Sequence, residues 1–113
     1  MELMLNFKHK NIKNLIIVYI GQILSFCISM KQKIIDFVQS HSQGKHGCHD
    51  IDHTLRVTDL ALLIGQKEGA DLEVLEYASL LHDIGRPYED ASLGEICHAT
   101  KGAEIANTFL PTL

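Results

Sequence analysis

The stretch "SLLHDIGRP", residues 79–87, closes a leucine-rich run with His82 and Asp83 side by side, then breaks at Gly85 and Pro87. An ionisable pair is costly to bury unless something binds it. The ligand that suits this pair is a metal ion. Adjacent residues on a helix diverge by about 100°, and octahedral metals want neighbouring ligands near a right angle, so one divalent ion at the helix end can take both side chains. Gly85 then lets the chain leave without colliding with the site.

Working outward, the chain reads as short helices. "MKQKIIDFVQSHS" opens an amphipathic helix over about 31–41, with Ile34, Phe37 and Val38 on one face. "HSQGKHGCHD" follows as a loop, broken by Gly44 and Gly47. A second helix runs from near Asp52 to about Glu68, with Val57, Leu60, Ala61 and Ile64 as its apolar stripe and Gly69 as its cap. His53 shares that stripe and is expected to point inward. Asp71 caps a third helix that ends in "LLHD", where His82 follows Leu75 and Ala78 at inward spacing. "IGRPYEDASLGE" reads as a loop, and a last helix spans about 98–110 until Pro111. Nothing alternates with period two, so the fold class is all-α.

Composition narrows the class further. The 113 residues suffice for one small domain, and the net charge of −4 argues against a protein that coats nucleic acid. Cys27, Cys48 and Cys97 are odd in number without C-x-x-C spacing, so a reducing cytoplasm is expected rather than a disulfide framework. Residues 1–29 differ from the rest. From Asn14 to Met30 there is no charge, and Lys8, Lys10 and Lys13 stand just before. This extension reads as a mis-start upstream of Met30, a signal-like or membrane helix, or an added core helix. A membrane span is disfavoured because the run is short and interrupted by Gly21, Gln22 and Ser25. The organised domain is expected over residues 30–113.

"HDIDHTLRV" (49–57), "LLHDIGRP" (80–87) and "CHATKGAEIA" (97–106) together resemble the HD-domain metal-dependent phosphohydrolases, over about residues 31–110. The resemblance implies a helical HD-domain bundle in which His53, His82 and Asp83 ligate a divalent ion: Mn, Mg, Fe, Ni or Zn. It implies hydrolysis of a phosphate ester or anhydride, with a nucleotide or other small phosphorylated molecule as the partner and no nucleic-acid duplex. Asp83 is the expected catalytic group, orienting a metal-activated water. His98 matches a histidine beside the family site. Lys101, Arg86 and Arg56 are the basic groups that would neutralise phosphate, Lys101 foremost because it lies one turn from His98.

The family's last aspartate ligand lies downstream of the His98 helix, and this chain has no aspartate after Asp90. The C-terminal helices of the usual domain are therefore expected to be missing, leaving a fragment or shortened relative that binds metal weakly and hydrolyses poorly. The rival function is a truncated or degenerate module without catalysis, acting by nucleotide or partner binding. Glu89 and Asp90 read as a solvated acidic turn. The zinc-protease reading of "HDIDH" fails because Asp50 stands where glutamate is needed, and the spacing of Cys48-His49 and Cys97-His98 matches no compact zinc finger.

Overall fold

Caps written in the sequence set the helix boundaries. The computed structural model describes the backbone of residues 2–42 and 50–113, and the side chains from Ile12 onward within those segments. The expected Gly44/Gly47 loop, with Cys48 and His49, lies outside the described residues. Helix α1 spans Glu2–Ser42, α2 Ile51–Glu68, α3 Leu72–Leu81, α4 Arg86–Ala91 and α5 His98–Phe109, with a 3₁₀ turn at Leu110–Thr112. Among the described residues there is no strand, and the all-α class expected from the sequence holds.

The Asp50 carboxylate accepts the His53 N–H at 2.9 Å and starts α2. Gly69, at φ 71°, ends it in the left-handed conformation that glycine adopts without penalty. Asp71 accepts the N–H groups of Glu73 and Val74, each at 3.1 Å, and starts α3.

By internal packing the chain divides into residues 1–31 and 32–113. Within the second unit, Ile34 and Val38 from α1, Leu80 and Leu81 from α3, and Ile84 from the following turn form the buried core. Phe37 stacks face to face on Phe109 at 3.7 Å between ring centroids, tying the end of α1 to α5. Truncating Ile34, which has no exposed surface, removes part of the best-packed centre, a change of about 2–5 kcal/mol in cores of this kind.

Three elements differ from the sequence reading. "RPYEDA" is helix α4 rather than loop. Pro87 lies in its first turn, where a missing N–H costs nothing and the fixed φ is already helical, so it starts a helix instead of stopping one. On α2 the buried residues are Thr54, Thr58 and Gly65, while Leu60 and Ile64 are each 60% exposed. The stripe is rotated because α3 packs where α2 has no side chain: a Cβ on Gly65 would lie 2.3 Å from Leu75 Cδ2. The two threonines tolerate burial because their hydroxyls donate back along the helix, Thr58 to the Thr54 carbonyl at 2.9 Å and Thr54 to the Asp50 carbonyl at 3.4 Å. Finally, α1 starts far upstream of residue 31.

Candidate metal centre

His53 stands in the first turn of α2, and His82 and Asp83 follow the last turn of α3. The backbone there tightens into successive i→i+3 bonds, Ile84 N–H to the Leu81 carbonyl at 3.2 Å and Arg86 N–H to the Asp83 carbonyl at 3.0 Å. That turn, rather than a continuing α-helix, turns the two neighbouring side chains to one place. His82 Nδ1 donates to the Ser79 carbonyl at 2.7 Å, which assigns the proton to Nδ1 and directs Nε2 at Asp83.

His82 Nε2 lies 3.3 Å and His53 Nε2 3.7 Å from the same carboxylate oxygen, Asp83 Oδ2. One donor atom from each of the three residues falls within 4.8 Å of the others. Bonds of about 2.0–2.3 Å to a common ion place ligand atoms roughly 3–4.5 Å apart, so the donor set fits a divalent cation. The carboxylate is 11% exposed and the imidazoles about one third, so the cluster opens to solvent on the histidine side.

The other oxygen of Asp83 faces a second cluster. Arg86 Nη2 donates to Asp83 Oδ1 at 3.4 Å and to His98 Nε2 at 3.2 Å, while Arg86 Nη1 donates to Glu89 Oε2 at 2.6 Å. Because His98 Nε2 accepts from a guanidinium, its proton belongs on Nδ1, which lies 2.6 Å from the same Glu89 oxygen. The Arg86 guanidinium thus joins the carboxylates of Asp83 and Glu89 to the His98 imidazole, and α4 is the element that sets Arg86 and Glu89 on one face at i,i+3.

His98 reaches this cluster through a glycine joint. A Cβ on Gly85 would stand 2.1 Å from the His98 carbonyl oxygen and 2.6 Å from the Gly102 nitrogen, so only glycine allows α5 so close. Gly85 has an ordinary φ of −83°. Its role is close approach, not the free exit of the chain.

Of the other expected residues, Lys101 donates to Glu104 Oε2 at 3.0 Å and lies 5.3 Å from the centroid of the Tyr88 ring. Arg56 is exposed on α2, one turn beyond His53. Glu89 was read as solvated, yet its side chain is 26% exposed and clamps Arg86 and His98. The signal for it was the R-x-x-E spacing. Between α3 and α5 an apolar depression of about 470 Å³ opens beside His82, lined among others by Tyr77, Leu81, Ala99 and Ala103. At the N-cap of α5 the Cys97 thiol is held below its ordinary pKa by the Thr100 backbone N–H, which favours the thiolate.

The HD-domain family profile matches residues 50–111. The protein YpgQ of Bacillus subtilis is 42% identical over 57 residues, 50% of this chain and 28% of its own length. Ribonuclease Y 1 of Pediococcus pentosaceus is 29% identical over 82 residues, 72% of this chain and 15% of its own. A tRNA (cytidine(56)-2'-O)-methyltransferase of Thermoplasma volcanium is 40% identical over 63 residues, 54% of this chain and 18% of its own. This chain thus spans less than a third of each of these relatives, and no solved structure matches it. With the matched segment containing both histidines, the His-Asp pair and the α4–α5 joint, the chain belongs to the HD-domain family.

Proposed function

We propose that the site hydrolyses a phosphate ester or anhydride of a nucleotide, with His53, His82 and Asp83 holding a divalent ion. The observation that carries this reading is the convergence of the two imidazole Nε2 atoms on Asp83 Oδ2. An ion bound there supplies Lewis acidity toward a phosphoryl oxygen and a water more easily deprotonated than in bulk.

The chain's own groups do the rest. The Ser79 carbonyl fixes the His82 tautomer, and Arg86 steadies Asp83 through Oδ1 so that Oδ2 faces the histidines. Asp83 orients the attacking water and shares its proton. Arg86 is held between two part-buried carboxylates, whereas Lys101 pairs with an exposed Glu104, so neutralisation of substrate phosphate falls to Lys101 and Arg56, with His98 turning to the substrate only if it leaves Arg86. The depression beside His82 gives an apolar part of the substrate room next to the ion. One relative is named a ribonuclease, an activity on phosphodiesters and so within the same bond chemistry.

With three protein donors among the described residues, half of a six-coordinate shell would be left to water, and binding would be weak. The test is titration of the full chain with Mn²⁺, read by electron paramagnetic resonance, beside His82→Ala. Saturable binding weakened about tenfold or more by the substitution is expected, with metal-dependent hydrolysis of a nucleoside triphosphate lost in parallel. Equal Mn²⁺ binding by the two proteins would overturn the site.

A further inference from the structure

Among the described residues one helix is long and apolar enough to cross a membrane, and its apolar window lies wholly unburied. From Ile12 to Ile28 the large apolar side chains are all more than half exposed, from 51% at Ile16 to 68% at Ile28. Leu15, Ile16, Ile17, Val18, Tyr19 and Ile20 follow one another without a polar break. At 100° per residue they occupy the whole circumference of the helix.

That distribution discriminates between occupants. A core helix of a soluble domain would be covered, and this one is not. A surface-lying amphipathic helix needs a charged face, and a coiled-coil seam needs apolar residues confined to a stripe. Residues 14–30 carry no charge. At 100° per residue Asn14, Gly21, Gln22, Ser25 and Ser29 share one arc of about 100°, an uncharged stripe. The apolar residues fill the rest, far too wide an arc for a coiled-coil seam. An uncharged helix that is apolar over all but one narrow stripe suits an apolar solvent.

Length and charge agree. Seventeen helical residues from Asn14 to Met30 extend about 26 Å at 1.5 Å per residue, against roughly 30 Å of hydrocarbon in a bilayer. Lys8, Lys10 and Lys13 precede the run, and Lys31 and Lys33 follow it. Lysine stems at the ends of an apolar run lengthen its reach, and ammonium groups are favoured among anionic headgroups. Serine hydroxyls bond back to helix carbonyls, so Ser25 and Ser29 are tolerated in lipid.

We propose that residues 14–30 cross a lipid bilayer as one helix and anchor the HD-domain unit to it. The run is short for a span and interrupted by Gly21, Gln22 and Ser25, but lysines at both ends lengthen its reach, and its exposed apolar side chains are unlike those of a core helix.

The full chain is mixed with vesicles of phosphatidylcholine containing a minor share of phosphatidylglycerol and floated on a density gradient. Flotation that resists high salt and alkaline carbonate is expected. In a Cys27→Ser, Cys48→Ser, Cys97→Ser background, the thiol introduced by Gly21→Cys should react with a membrane-impermeant maleimide about tenfold more slowly in vesicles than in detergent; a Cβ at Gly21 meets nothing within 4 Å. Ile20→Asp with Ile23→Asp should abolish flotation while leaving Mn²⁺ binding through His82 unchanged, which separates this anchor from the metal site. Release by salt or carbonate, a lipid-free soluble oligomer that does not float, or recovery of a chain cleaved within residues 14–30 would each overturn the proposal.

Discussion

The two oxygens of Asp83 face opposite kinds of surroundings. Oδ2 looks toward two imidazole nitrogens, and Oδ1 toward the guanidinium of Arg86. On the first side the converging groups are all electron-pair donors, an arrangement a cation completes. On the second side the Arg86 guanidinium already sits between the carboxylates of Asp83 and Glu89, and His98 Nε2 accepts from its Nη2. One carboxylate thus serves both a recruiting cluster and a charge-paired one. The difference separates residues that can bind something from residues that hold those residues still.

Asp83→Asn strikes both sides at once and has the largest expected effect. It should lower Mn²⁺ affinity about 100-fold, since a charged ligand becomes a neutral amide; affinity within threefold of the parent would mean that the histidines bind without it. Gly85→Ala comes next, because the new methyl meets the backbone of α5. Overpacking of this kind costs about 1–3 kcal/mol, and the midpoint of denaturant unfolding should fall accordingly. It should also separate the clusters, loosening His98 while His82 keeps its bond to Ser79, so that imidazole resonances in heteronuclear NMR shift for His98 far more than for His82. Equal shifts would show that the two clusters are not mechanically distinct. Glu89→Gln has the smallest effect. Its pairs are about a quarter exposed, so screening limits the stability loss to about 1 kcal/mol or less, with metal affinity lowered by less than about tenfold. A collapse of Mn²⁺ binding in that variant would make Glu89 part of the metal site itself.

Much of the recruiting cluster was legible because His82 and Asp83 close a leucine-rich run that Gly85 and Pro87 interrupt, a local pattern in a helix whose start Asp71 marks. The supporting cluster was not. Pro87 looked like a terminator because proline breaks helices in their interior, whereas here it occupies a first turn. Glu89 looked solvated because its partner His98 is brought to it by tertiary contact. The α2 face was misread for a related reason: leucine and isoleucine mark apolarity, while the helix actually buries threonines and a glycine that let α3 approach. Hydrophobic periodicity reports where apolar groups are, and close packing is decided as much by where side chains are small.

The contact of Gly85 with α5 has a consequence for order rather than for space. Joints between helices usually run through side chains, each with rotamers that must be frozen on folding and that thaw again as temperature rises. Where the Gly85 backbone meets the His98 carbonyl and the Gly102 nitrogen, there are no rotamers to freeze or thaw. The offset between α5 and the Asp83 turn is therefore set by main chain alone, and heating should blur the surrounding side chains well before it shifts α5 against that turn.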